Sequence, residues 1–255
     1  MKLIQSRENP FFKSLKRLAE SGRERRKTGQ TLLDGVHLVY AYEAAFGPVE
    51  TLIVSESAQA GGEVARFVTG RETVVLADSL MRDIGLVDTP SGLLALIKTP
   101  HANATVNRRI DAILLDGVQD PGNVGTLLRT AAAAGIGQAL LSPGCAAAWS
   151  PKVLRAGQGA HFALAIHEEW DLAGFMAAYE GTTAVTCLDG ATSLYAAKLG
   201  GPIAWVFGAE GQGVSPELMA AAQLRIRIPM PGAVESLNVA AAAAICLFEA
   251  LRRKL

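Results

Sequence analysis

The sequence predicts an α/β protein of two domains, and three observations carry the prediction. Residues 31–98 and 110–228 both alternate short apolar runs with stretches of helical period, the pattern of strands interleaved with helices. The runs at 203–207 and 224–228 stop at breaker-rich loops, as buried parallel strands do where they open onto helices. Between the two alternating regions, residues 98–109 hold Pro100, Asn103 and Asn107 and no period. We therefore expect an N-terminal α/β/α domain at 1–99, a linker at 100–107 and a second domain at 108–255; 255 residues are long for one core.

The elements follow in order. Asn9 and Pro10 start a helix, a capping side chain followed by proline at the first helical position, and Gly22 ends it. Phe12, Leu15 and Leu18 face inward, leaving Lys13, Lys16 and Arg17 off the stripe. Arg23, Arg25, Arg26 and Lys27 come next in a polar loop. Residues 35–46 read as helix, 49–54 as strand, 63–67 as helix, 73–76 as strand, 78–86 as helix and 93–97 as strand. In the second domain 110–115 is a strand, and Val124, Leu127, Leu128 and Ala131 form the core face of a helix that Asn123 can cap. Arg129 lies off that face and leans back over Gly125 toward the strand end. Strands at 138–141, 163–166, 183–188, 203–207 and 224–228 follow, with a helix at 172–179. The last helix runs over 236–252 with Leu237, Ala241, Ala244, Phe248 and Leu251 as its buried stripe.

Composition narrows the function classes. Half the residues are apolar, so a folded core is expected. Cys145, Cys187 and Cys246 are odd in number and widely spaced, neither a disulfide framework nor a metal pattern, which fits a reducing cytoplasm. The start has no apolar leader segment, and no run approaches the roughly 18 apolar residues of a membrane span. The formal net charge is zero, yet residues 1–30 carry nine Lys or Arg against three Glu, which is +6 and leaves −6 for the rest. That asymmetry marks a local surface for a polyanion, and Arg and Lys contacts to phosphate supply most sequence-independent affinity for nucleic acid. Lys152 and Arg155, three apart on one helix face, are further candidates for phosphate contact.

Loops at the carboxyl ends of parallel strands are where such folds place ligands. Gly208, Gly211 and Gly213 put three glycines in six residues, but their order is not the dinucleotide fingerprint, and Glu210 sets a carboxylate where a phosphate would sit. The slot therefore suits a ligand without phosphate. No acidic residue and glycine pattern of a Rossmann enzyme follows the strand at 110–115 either.

Three segments in order make a specific match: Asn123-x-Gly125-x-x-x-Arg129, then Phe207-Gly-Ala-Glu-Gly-Gln-Gly213, then Ile228-Pro-Met230 with Ser236-Leu-Asn-Val239. They resemble the three motifs of the SpoU (TrmH-type) RNA ribose methyltransferases of the SPOUT superfamily. The likeness covers about 108–255, and more loosely the N-terminal region through Arg26-Lys-Thr-Gly-Gln-Thr-Leu-Leu-Asp-Gly35. Gly157 and Ala240 stand where the family usually has serine.

The resemblance implies a C-terminal domain knotted as a trefoil, an exception to the rule against knots, and a smaller, ribosomal-protein-like RNA-binding domain before it. It implies transfer of a methyl group from S-adenosylmethionine to a ribose 2′-hydroxyl of structured RNA, large-subunit (23S-type) ribosomal RNA before tRNA. Gly208, Ile228, Met230 and Leu237 would hold the cofactor. Arg129 would act as base or as electrostatic clamp, Asn123 and Asn238 would orient the hydroxyl or the arginine, and Glu210 would fix the loop or pair with Arg129. The RNA would meet Arg23, Arg25, Arg26, Lys27, Lys152 and Arg155. No metal is implied, and a homodimer through the C-terminal domain is expected, because alanine-rich stretches 130–134 and 240–244 are too smooth to face solvent. Such a dimer would bring the basic region of one chain near the cofactor loops of the other. A non-catalytic RNA-binding or ribosome-assembly protein of the same fold is the reading from another class.

Overall fold

The computed structural model describes residues 2–85, 90–100, 105–188, 191–233 and 235–255. Residues 101–104 of the expected linker, and Leu86 at the end of the expected helix 78–86, lie outside the described residues. Packing divides the chain into two units, one of Met1–Pro100 with Trp149–Phe162, the other of His101–Ala148 with Ala163–Leu255.

The first unit begins with β1 (Lys2–Ile4) and α1 (Pro10–Glu20), whose start is as expected: the Asn9 side chain accepts from the amides of Phe11 and Phe12. The expected polar loop is instead a second helix, α2 (Gly22–Thr28). It has no buried residue, so periodicity could not show it; Ser21 caps its start and Gly29, left-handed at φ 63°, closes its end. Then come β2 (Gln30–Asp34), α3 (Val36–Phe46), β3 (Thr51–Ser55), α4 (Glu56–Gln59), α5 (Gly62–Val68), β4 (Thr73–Leu76), α6 (Asp78–Ile84) and β5 (Leu93–Lys98). The sheet order is β1-β4-β3-β5-β2, with β5 antiparallel to both neighbours.

Period-2 alternation sends each strand to both faces. Leu32, Ile53, Leu94 and Leu96 pack beneath α1 and α6 with Phe12, Leu15, Leu80 and Ile84. Leu33, Leu52, Val54, Ala95 and Ile97 pack on the other side with Leu38, Val39 and Tyr42 of α3 and Val64 and Val68 of α5. The result is the three-layer α/β/α arrangement.

A later stretch of chain completes that second layer. It lies within the span 108–255 that the sequence assigns to the second domain, but packs with the first unit. Its α8 (Pro151–Gly157) buries Leu154 among the α3 and α5 side chains, and the Thr31 hydroxyl of the edge strand β2 donates to the Trp149 carbonyl at 2.8 Å. Arg155 Nη1 donates to Asp34 Oδ2 at 2.9 Å, and a short 3-10 turn (Ala160–Phe162) sets Phe162 against Tyr42 and Phe46.

The second unit holds β6 (Ala112–Asp116), α7 (Pro121–Ala133), β7 (Gln138–Leu141), β8 (Ala165–His167), α9 (Leu172–Ala178), β9 (Thr182–Thr186), β10 (Thr192–Ser193), β11 (Ile203–Gly208), α10 (Pro216–Ala221), β12 (Leu224–Arg227) and α11 (Val239–Arg252). Its seven strands run in the order β10-β12-β9-β11-β6-β7-β8, every pairing parallel. From β6 the chain winds one way through β7 to β8, while β11 flanks β6 on the opposite side. The loops after β6 and β11 thus diverge at a topological switch point, where doubly wound sheets form a crevice.

Leu114, Val206, Ala204 and Val185 pack on one face with Leu172, Phe175 and Met176 of α9 and Leu218 of α10. On the other, α7 and α11 pack against each other and α11 reaches β11. Two local expectations change here. Asp120, not Asn123, caps α7: its Oδ1 accepts from the Asn123 amide at 2.7 Å, with Pro121 at the first helical position. And α11 starts at Val239 with a different buried stripe, Val239, Ala240, Ala243, Cys246, Leu247 and Ala250, while Ala241 and Phe248 are exposed. Leu237 precedes the helix and is also exposed. A run of five alanines carries no phase of its own, so its orientation is set by which small residues let α7 approach.

Candidate active site

The crevice is built from the loop after β11, and its first requirement is steric. A Cβ on Gly208 would lie 2.1 Å from the backbone carbonyl of Gly213, because the loop folds straight back: the Gly213 amide donates to the Ala209 carbonyl at 2.7 Å. Gly213 itself sits at φ +69°, the left-handed region in which glycine carries no steric penalty. The far side of the loop is tied to β6, where Asp116 Oδ2 accepts from the Ser215 amide at 2.8 Å. Asp116 and Ser215 were not among the expected site residues; the only signal was that Asp116 ends an apolar strand beside a glycine.

Because Asp120 caps α7, the Asn123 side chain is left free in the first turn. Its Nδ2 donates to Glu210 Oε1 in the folded-back loop, and its Oδ1 accepts from Asn238 Nδ2 at 3.0 Å. Asn238 in turn caps α11, its Oδ1 accepting from the amides of Ala240 at 2.9 Å and Ala241 at 3.3 Å. Backbone amides can only donate, so the Asn238 oxygen must face α11 and its NH2 must face Asn123. Asn123 then has to present its oxygen to Asn238 and its NH2 to Glu210. One helix end therefore fixes the orientation of two amides and demands an acceptor at the end of the chain, which the Glu210 carboxylate provides.

The chain of bonds unites Asn123, Glu210 and Asn238, three of the four expected catalytic residues. The fourth, Arg129, stands apart: it is exposed on α7 and makes no hydrogen bond or ion pair among the described residues, and Glu210 is engaged by Asn123.

Two cavities flank this chain of bonds. One, of about 140 Å³, lies over the ends of β9 and β12 and is lined by Cys187, Leu188, Ile226, Ile228, Met230 and Leu237 among others. Three of the four expected cofactor residues, Ile228, Met230 and Leu237, thus share a wall, while Gly208 is not in that lining and acts where the loop closes. The sequence missed Thr186 to Leu188 there, because nothing at the end of β9 distinguishes a lining residue from a strand end. The second cavity, about 440 Å³, opens over the ends of β6, β7 and β11, with Gly117, Gln119, Gly144 and Glu210 in its wall.

The expected RNA contacts belong to the first unit. Arg23, Arg26 and Lys27 are exposed on α2, and Lys152 is exposed on α8. Arg25 and Arg155 have structural partners as well: Arg25 Nη1 donates to the carbonyls of Leu18 and Ala19 at 2.7 and 3.2 Å, closing the end of α1, and Arg155 holds Asp34. Among the described residues no three His, Cys, Asp or Glu side chains gather as a metal ligand set, and no helix is long and apolar enough to cross a membrane.

A family model described as the SpoU rRNA Methylase family matches residues 112–248, and one described as an MRM3-like substrate binding domain matches residues 9–95. The chain is 32% identical over 251 residues to the 23S rRNA (guanosine(2553)-2′-O)-methyltransferase RlmP of Bacillus subtilis (strain 168), covering 97% of this chain and 98% of that protein. Among solved structures it is similar to an AdoMet-bound rRNA methyltransferase from Sinorhizobium meliloti, with a TM-score of 0.83 and 27% identity over 100% of this chain and 98% of that one. It is also similar to an RNA 2′-O ribose methyltransferase, with a TM-score of 0.85 and 26% identity over 99% of both chains.

The two jobs of Asn238 can be separated. Asn238→Ala removes the α11 cap and should lower stability by about 1 kcal/mol in urea unfolding. Asn238→Asp keeps the acceptor for the Ala240 and Ala241 amides, so the cap and most of the stability should hold, but its second oxygen replaces the Nδ2 donor and faces the Asn123 oxygen. Both variants should speed amide exchange in the loop 209–213, which loses its oriented partner. An aspartate variant as unstable as the alanine one would show that capping is not what this side chain does.

Proposed function

The chain belongs to the SpoU rRNA methylase family, and from that membership we propose that it transfers a methyl group from S-adenosylmethionine to the 2′-hydroxyl of a ribose in large-subunit ribosomal RNA. The observation that carries the reading is the bonded series Asn238, Asn123 and Glu210, which joins all three motif segments beside an apolar cavity. The names of the relatives support the substrate class: RlmP is a 23S rRNA methyltransferase, and the Sinorhizobium meliloti protein binds AdoMet and is an rRNA methyltransferase.

The residues fit the cofactor. Ile226, Ile228, Met230 and Leu237 form an apolar slot suited to the adenine ring, and its volume of about 140 Å³ matches that end rather than a whole ligand. Gly208 belongs to the same set through the backbone of the loop it allows to close. When bound, S-adenosylmethionine supplies a methyl group already activated by its sulfonium. The work left to the protein is to align the ribose and to stabilise the oxygen as its proton leaves. Arg129 is suited to that task electrostatically: a guanidinium keeps its proton at neutral pH, and its exposed, partner-free head is available to a phosphate and to the developing oxyanion. Asn123 and Glu210, already oriented, hold the loop that faces the ribose.

The remaining parts of the reading follow from the same family membership. The C-terminal segment threads a trefoil knot, and the first unit is a substrate-binding domain, supported by the match over residues 9–95. The protein works in the cytoplasm, supported by its few, widely spaced cysteines. It is a homodimer through the C-terminal domain, supported by an outward face of α11 on which Ala241 and Phe248, 46% exposed, lie beside the half-buried Ala244, Ile245 and Leu251.

Purified protein should methylate unmodified 23S rRNA at a ribose that mapping finds unmethylated in a deletion strain, and Arg129→Ala should abolish that transfer while cofactor affinity stays within twofold. Wild-type turnover in the variant would remove Arg129 from the mechanism. Neutralising Arg23, Arg26 and Lys27 together should weaken RNA binding and reduce the slope of log affinity against log salt by roughly 2 to 3, since each phosphate contact contributes roughly 0.7 to 0.9. An unchanged slope would return these side chains to a merely solvated face. Light scattering at micromolar concentration should give twice the 26.7 kDa chain mass, and Phe248→Glu should shift it toward one; a fully active wild-type monomer would rule the dimer out.

A further inference from the structure

The cavity of about 440 Å³ over β6, β7 and β11 has none of the expected cofactor residues Gly208, Ile228, Met230 and Leu237 in its wall, yet Glu210 belongs both to that wall and to the bonded series that ends beside Leu237. That series of bonds links the cavity to the proposed methyl-donor slot. Four glycines leave the walls of the cavity bare: around Gly117, Gly144, Gly211 and Gly213 no other atom lies within 4 Å of where a Cβ would be. Bare backbone on facing loops leaves a flat-sided space that suits a planar ring. Its charge is informative too, because Asp116 and Glu210 bring carboxylates and would repel a phosphate. What fits is the uncharged part of a nucleotide, sugar and base, with the phosphates left outside.

The polar groups of the wall are unequally committed. Asp116 gives one oxygen to the Ser215 amide at 2.8 Å and the other to the Ser142 hydroxyl at 3.4 Å, and Glu210 holds Asn123. Gln119, on the turn after β6, and Gln212, in the folded-back loop, are both exposed and without a hydrogen bond among the described residues, and Gln119 is the one that stands outside the loop the bonded series holds. An amide carries a donor and an acceptor side by side, the arrangement that reads the edge of a base.

We propose that this cavity receives the target nucleoside, extruded from the RNA, and that Gln119 reads the edge of its base. The inference rests on the assignment of the protein as an rRNA ribose methyltransferase. Extrusion has a cost of a few kcal/mol of unstacking, which contacts inside the cavity must offset. Gln119 is then a specificity residue, and its loss should act on RNA rather than on the methyl donor.

The test uses the full-length protein, labelled S-adenosylmethionine, and 23S rRNA transcripts carrying each of the four bases at the mapped target. Gln119→Ala should lower kcat/KM on the natural transcript about tenfold, mostly through the KM for RNA, and should flatten the preference among the four bases. Cofactor affinity measured by calorimetry should not change. Gly211→Phe, which fills the cavity at a residue without left-handed backbone, should block transfer to RNA while cofactor binding persists. Retained base preference in the first variant, or wild-type transfer by the second, overturns the proposal. A wild-type protein that transfers no methyl group to any rRNA transcript fails earlier, at the assigned substrate, and takes the inference with it.

Discussion

The N-terminus of α11 imposes the constraint on which the site depends. A helix end leaves amide hydrogens without partners, and Asn238 satisfies two of them. Once its oxygen is committed, hydrogen-bond direction propagates outward: Asn123 can turn only one way, and the loop after β11 must offer an acceptor. Glu210 meets that need on a loop that could not otherwise be held by its own packing, since Glu210, Gly211, Gln212 and Gly213 are all exposed. A capping interaction worth on the order of 1 kcal/mol thus orders three segments that are far apart in sequence. The geometry comes from the order of the donors rather than from any one strong bond.

The fold explains why those segments meet. With β6 and β11 side by side and the chain leaving them in opposite directions, their loops gather at the carboxyl ends of the central strands. Asp116 and Gly208 are register partners at the last rung of this pair. One ties the returning loop through its carboxylate, and the other permits the return by lacking a side chain. Apolar strands set the platform, and two small polar devices at its rim shape the crevice.

Much of this was legible in the sequence, for identifiable reasons. The buried parallel strands announce themselves by unbroken apolar runs, and Asn123, Glu210 and Asn238 stand in motifs whose spacing is specific. The cap of α7 was misplaced by three residues because Asp120 and Asn123 are both good caps, and Pro121 decides between them. The phase of α11 was hidden in a run of alanines, whose side chains differ too little between buried and exposed faces to leave a pattern. The helix α2 has no buried side chain, so only its caps, Ser21 and Gly29, could have revealed it. That Leu154 packs in one cluster with side chains such as Leu33, Leu38 and Tyr42, more than one hundred positions earlier, is a tertiary fact without a local signature.

That last feature bears on how the protein is made. Leu33, Leu38, Tyr42 and Ala95 share a layer with Leu154, and the edge strand β2 hands its buried Thr31 hydroxyl to Trp149. When the ribosome has finished residue 100, the first unit therefore lacks part of its wall, and it stays open until the stretch through 162 has cleared the exit tunnel. At 5 to 20 residues per second this is a delay of roughly 3 to 12 seconds. During that interval β2 is an uncovered edge strand, the kind of surface that chaperones shield from pairing with other chains. The last layer of the N-terminal unit thus depends on residues encoded in the middle of the gene.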